Sequence, residues 1–180
     1  VSGRVTAELE MAEPGKFAAT NPEIYGQGSF SKKADCNGYE VIVDTKGTLL
    51  WPDAADMEKP YLILTGENVT KEYLDYLDGQ HISWIACGKK NVDLVRAVEI
   101  LSEKFHVERM GIVGGPKINT AFLKAGLLDE ISILIGAGID GRGGMPAVFD
   151  GLEMSHDVTE LKLTDVQKFD SGAVWIRYAV

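Results

Sequence analysis

Two glycine-containing stretches, SGRVT at 2–6 and VGGPKIN at 113–119, carry the residue types that hold phosphate. In the second, a short apolar run from Arg109 to Val113 reads as a buried strand, and Gly114 and Gly115 permit close backbone approaches that a Cβ would block. Pro116 suits the first helical position, where its missing N–H costs nothing. Ile118, Ala121, Phe122 and Ala125 follow at helical spacing, and Gly126 is a natural stop. The mouth of such a helix combines unpaired N–H groups with the positive end of the dipole, so an anion fits there. The same residues would equally serve an ordinary strand-to-helix turn without a ligand. In the first stretch, Arg4 offers a permanent planar cation and Thr6 a hydroxyl suited to an N-cap. Taken alone, Arg4 reads as half of a surface ion pair and Thr6 as a plain cap. Two such junctions at the carboxyl end of one parallel sheet suit a diphosphate, because ligands of open α/β sheets sit beyond those strand ends.

The elements that must position these junctions follow from periodicity. Val1 and Ser2 end a strand, and Gly3 to Thr6 turn into a helix starting near Ala7 and running to about Ala12. Residues 14–38 have little periodicity and read as a long surface excursion. Strands are expected at Tyr39–Asp44, where Thr45, Lys46 and Gly47 then turn the chain, and at Tyr61–Thr65 and His81–Cys87. Helices are expected over Asn68–Gly79 and after an Asn91 cap, the latter with Leu94, Val98, Leu101 and Phe105 as its inner stripe. After the Arg109–Gly126 strand and helix, Glu130–Gly136 starts another buried strand. A glycine-rich loop, GAGIDGRGGMPAVFDG, fills 136–151. Strands at Val158–Leu163 and Ala173–Val180, with no helix between them, form an antiparallel pair. The fold class is therefore α/β, a mostly parallel central sheet flanked by helices with a C-terminal antiparallel pair.

The 180 residues, 45% of them hydrophobic, suffice for one domain with a real core. A net charge of -9 argues against nucleic-acid or acidic-membrane binding, so any phosphate must be held by backbone N–H groups and one or two placed cations. No apolar stretch has transmembrane length and no signal-peptide pattern opens the chain, which makes a cytoplasmic protein the default. Cys36 and Cys87 read as reduced thiols, and the three histidines have no ligand spacing, so no metal is expected. Asp129 and Glu130 are expected to be solvated rather than catalytic, and Trp51, Trp84 and Trp175 to fill cores and edges.

GRVTAELE resembles the GRxTxE turn and helix of dihydrofolate reductases. IVGGPKINTAFLKAGLLDEISI resembles the glycine-pair segment shared by those enzymes and the reductase half of the bifunctional riboflavin-biosynthesis deaminase-reductase. GRGGMPAVF and SGAVWIRYAV resemble that second group's glycine-rich stretch and closing strand. The resemblance covers nearly the whole chain. It implies a dihydrofolate-reductase-like fold, a homodimer and NADPH as cofactor, with hydride transfer to a small heterocyclic or ribosylaminopyrimidine-like substrate. Gly3, Arg4 and Thr6 would then bind the cofactor's phosphates, Arg4 its 2′-phosphate. Gly114, Gly115, Pro116, Lys117 and Ile118 would wrap the diphosphate and nicotinamide ribose, and Asp44 and Thr45 would lie near the adenosine.

Three departures accompany it. Val113 stands where the riboflavin reductases carry a glutamate, and SGRVTAELEM lacks their Arg-Ala-Asp-Asp-Pro run. The family's first strand and helix have no counterpart, Val1 opening directly on a strand end, so no proton-handling carboxylate is assigned and the catalytic residues stay unknown. An ordinary Rossmann dehydrogenase is disfavoured because its GxGxxG belongs after the first strand. A nucleotide-binding or regulatory module on the same fold, without chemistry, is the other alternative.

Overall fold

The computed structural model describes residues 1–145 and 147–180; Pro146, within the GRGGMPAVF stretch, lies outside the described residues. Four parallel strands make the main sheet: β1 (Ser2–Gly3), β3 (Glu40–Val43), β4 (Tyr61–Thr65) and β5 (Ser83–Ala86). β2 (Ser29–Ser31) adds an antiparallel edge, giving the order β1-β3-β4-β5-β2. Alternation along β4 divides its side chains between two cores. Ile63 joins Ile42, Leu49, Trp51, Tyr73 and Leu77 beneath α1 (Arg4–Glu10) and α2 (Lys71–Gly79), while Leu62 and Leu64 join Val41, Ile85, Leu101 and Phe105 beneath α3 (Leu94–Phe105). All five residues of β4 are buried, as a central parallel strand requires.

After α4 (Pro116–Lys124), the chain forms a separate three-stranded antiparallel sheet in the order β6 (Glu130–Ile135), β8 (Val174–Ala179), β7 (Lys162–Lys168). The register places Ile131, Ile133, Ile135, Val174, Ile176, Tyr178, Leu163 and Val166 on one face. The other face carries Trp175, whose indole N–H donates to Ser132 Oγ at 2.7 Å, and the Arg177–Asp165 pair at 2.6 Å. β7 has lysines at both ends and a bulge between Leu163 and Asp165, features that blunt an edge. The outer edge of β6 is apolar and has no strand partner among the described residues.

Several expectations are corrected. Arg109–Val113 is a partly exposed edge segment rather than a buried strand: among the described residues its backbone ladder is to Val1, Met110 and Ile112 are half-buried, and Val113 is 75% exposed. Val1 N donates to Gly111 O at 2.6 Å and Val113 N to Val1 O at 3.0 Å, but the next rung slips, Gly3 N–H reaching Gly114 O instead of Val113 O. With β1 only two residues long beside it, the run does not extend a regular ladder. α1 begins at Arg4 rather than near Ala7, with Gly3 as the N-cap, so Thr6 lies inside the first turn and is not the cap. Asp93, not Asn91, caps α3, accepting from Arg96 N at 3.0 Å, and its buried centre is Ala97, Ile100, Leu101 and Phe105, with Leu94 and Val98 half-buried at its flank. α2 starts three residues later than expected because Thr70 supplies its cap. The 14–38 excursion contains β2, whose pairing comes from β5 rather than from any pattern of its own. The second C-terminal strand partner lies at Lys162–Lys168 rather than Val158–Leu163, and β6 joins it, turning the expected pair into a three-stranded sheet.

Candidate functional site

The carboxyl ends of β1, β3, β4 and β5 open on one side of the sheet, and the two glycine junctions meet there. Gly3 N–H donates to Gly114 O at 3.0 Å, and a Cβ on Gly3 would come within 3.8 Å of Ile118 Cβ. α1 and α4 therefore start side by side. Gly114 has φ +98°, a conformation that L side chains rarely adopt, and the Gly114–Gly115 peptide bond is cis. Gly115 is the N-cap of α4 and Pro116 occupies the first turn. Ile118 and Asn119 N–H groups both donate to Gly115 O, at 3.0 and 3.2 Å. Neither α1 nor α4 has a side-chain cap, whereas Thr70 caps α2 and Asp93 caps α3. With Pro116 lacking an N–H and Ile118 N–H turned back to Gly115 O, the Lys117 N–H is the first-turn donor of α4 left for water or a ligand, beside the uncapped first turn of α1. α4, with nine residues, carries the fuller dipole; α1 has seven.

The other expected site residues take different parts. Arg4 Nη1 donates to Glu8 Oε2 at 2.6 Å, so the guanidinium is already paired, four residues along its own helix. A phosphate there would share Arg4 with a carboxylate. Thr6 is half-buried within the first turn of α1, and Lys117 is exposed at the start of α4.

Asp44, at the end of β3, is fully buried, and its carboxylate points into the protein. It accepts from Thr48 N at 2.7 Å, Leu49 N at 2.9 Å and Tyr73 Oη at 3.3 Å, fixing the turn after β3. Burial, reinforced by the Asp44 charge, pushes the Tyr73 hydroxyl well above the usual phenol range, so it stays a neutral donor. Thr45 turns its carbonyl to Gly66 N–H at 2.9 Å. Gly66 is wedged between two carbonyls, Thr45 O and Gly88 O, each within 3.4 Å of where a Cβ would stand, which draws the ends of β3, β4 and β5 together. Glu67 ties the same edge by accepting from Gly88 N at 3.2 Å. Cys87, just below it, is buried; desolvation pushes its thiol up to about 11, so it serves as packing rather than as a nucleophile.

The cations at this edge that have no ion-pair partner among the described residues include Lys46, after β3, and Lys89 and Lys90, after β5; all three are exposed. Sequence reasoning passed over the Lys89–Lys90 turn, although GKKN directly after a strand places two positive charges at a carboxyl end. It also missed Asn119, whose contacts are long-range. Asp129 and Glu130 are exposed, as expected of solvated carboxylates. Among the described residues, no helix is long and apolar enough to cross a membrane.

A family model described as the RibD C-terminal domain matches residues 11–175. That range includes Asp44, Thr45 and the glycine pair and begins after Gly3, Arg4 and Thr6. Riboflavin biosynthesis protein RibD of Chlamydia muridarum is 25% identical over 171 residues, covering 90% of this chain and 44% of that protein. The chain thus spans less than half the length of this curated relative. Among solved structures, a pyrimidine reductase-like protein from Corynebacterium diphtheriae aligns with a TM-score of 0.64 at 18% identity, over 79% of this chain and 60% of that one. RibD of Acinetobacter baumannii aligns at 0.55 and 22% identity, over 77% and 36% respectively. At these identities the structures establish a common fold.

Proposed function

The chain belongs to the RibD C-terminal domain family, and from that premise we propose that it is an NADPH-dependent reductase, transferring hydride to a small heterocyclic or ribosylaminopyrimidine-like substrate of the riboflavin-pathway type. One observation carries this proposal: the two helices lacking side-chain caps are the two that begin at glycines and meet through the Gly3–Gly114 hydrogen bond. Such a mouth suits the diphosphate of a dinucleotide. Gly114, Gly115, Pro116, Lys117 and Ile118 would line it from α4, with Gly3, Arg4 and Thr6 opposite. The adenosine end would run along the ends of β3 to β5, past Thr45. Asp44 contributes there through the turn it holds rather than through its carboxylate. The nicotinamide supplies the hydride; the chain's part is to orient the ring and exclude water. A homodimer acting in the cytoplasm belongs to the same proposal.

Thermal-shift titration with NADPH and, separately, NADH tests it. Saturation at a hundredfold excess over Kd stabilises the folded state by about 2.7 kcal/mol. NADPH is expected to raise the melting temperature more than NADH, and Arg4→Ala and the Lys89→Ala/Lys90→Ala double variant to narrow that difference. The absence of any shift with either nucleotide would overturn the cofactor assignment.

A second function draws on Val113. This residue, next to the glycine pair, is exposed and has no titratable proton, which suits a nucleotide-binding module that lacks the chemistry. Binding of NADPH without its oxidation across pterin and aminopyrimidine substrates would select that module; turnover with any of them would exclude it.

A further inference from the structure

Two consecutive side chains of α4 are spent on one distant segment. Asn119 Nδ2 donates to Val148 O at 2.8 Å, and Asp150 N–H donates to Thr120 Oγ1 at 2.9 Å. Phe149, between them, is half-buried and lines a small apolar cavity with Leu123 and Ile131. Thr120 is itself buried, which is unusual for a threonine unless its hydroxyl has work to do. Residues 148–150 are thereby held to the second turn of α4, just beyond the glycine pair, while the other end of the loop follows β6, with Ala137 beside Gly172 in the turn between β7 and β8.

The glycines of the loop have open space around them. A Cβ at Gly136, Gly138, Gly141, Gly143 or Gly144 would meet nothing within 4 Å, and Arg142 pairs with its neighbour Asp140 at 2.5 Å. Asn119 also touches the other side of the junction, since both polar atoms of its carboxamide lie within 4 Å of the Cβ position of Gly114. Its Oδ1 is out of reach of solvent and has no donor among the described residues. An amide with one end fastened and the other buried without a partner is poised to respond when the glycine turn beside it shifts.

We propose that Asn119 and Thr120 are positioning residues that fasten residues 148–150 to α4 beside the glycine pair, a fastening that tightens when a dinucleotide occupies that pair. This rests on the nucleotide assignment above, but its two halves are separable. Limited trypsinolysis of the full chain, followed by mass spectrometry at the Arg142–Gly143 bond, reads the fastening. Without nucleotide, Asn119→Ala and Thr120→Val should be cut about fivefold faster than the parent, a local opening with the melting temperature little changed. Thr120→Ser, which keeps the hydroxyl, should restore the parental rate. Saturating NADPH should protect the parent and Thr120→Ser but not the two loosened variants, and those two should show a raised KM for NADPH with kcat less affected. Parental cleavage rates in both Asn119→Ala and Thr120→Val would overturn the fastening role. NADPH that raises the melting temperature yet leaves cleavage unchanged would overturn the coupling. If NADPH gives no thermal shift, the nucleotide assignment and the coupling fall together, while the nucleotide-free rates still judge the fastening.

Discussion

At the scale of single residues, the decisive distinction is between polar groups spent on the fold and those left open. Asp44 belongs to the first kind. Replacing it with alanine leaves the Thr48 and Leu49 N–H groups without their acceptor, a loss expected to cost about 3 kcal/mol in a urea unfolding titration. An aspartate at a strand end looks like a ligand contact in sequence, and nothing local tells it from a turn anchor; the Tyr73 hydroxyl that completes its shell comes from α2, 29 residues away. Cys87 gives a pH signature. Burial raises its thiol from the ordinary 9.0 to about 11, so the folded state holds the proton after the unfolded chain has released it. Its contribution to stability is present below pH 9 and is lost as the pH climbs towards 11. The melting temperature should decline across that window, and less steeply in Cys87→Ala. Gly114 and Gly115, by contrast, were legible from residue type alone, because a glycine pair followed by proline has few other uses before a helix.

Among the elements, α2 and α3 form a natural control for α1 and α4. Thr70→Ala and Asp93→Ala should each lower stability by about 1 kcal/mol through loss of the cap. Thr6→Ala, made where the sequence suggested a cap that Gly3 provides instead, should leave the melting temperature unchanged and show its effect in NADPH affinity. Asn91 and Asp93 are both acceptable caps by type; the backbone at Asp93, bonded to Cys87 O through its own N–H at 3.2 Å, selects the latter. β4 was readable to the residue because a five-residue apolar run has one use between two turns. β2 was not, since Ser29–Ser31 has no pattern and owes its extended form to β5. The displacement of β7 has the same origin: Val158 and Leu161 supply apolar character, but pairing with β8 sets the register from Lys162 onward.

For the whole molecule, the parallel sheet and the antiparallel one differ in how they meet their surroundings. The first is enclosed on both faces by two cores, and its parallel character followed from the alternation of strands and helices. In the second, the antiparallel pair of the last two strands was legible but β6 as their third member was not, because its register depends on partners 45 residues apart, as Ser132 and Arg177 are. Its edges are also unequal. β7 carries the lysines and bulge that discourage a neighbour, while EISILI in β6 has neither, and Leu134 is 66% exposed. The colloidal behaviour of the purified protein should therefore be set by one strand. When concentrated or warmed below its melting point, molecules should associate edge to edge through β6, despite their common negative charge. Leu134→Lys is expected to delay the onset of turbidity and leave the melting temperature within about a degree, as charge on an exposed edge costs little in the fold and much in a cross-molecular ladder.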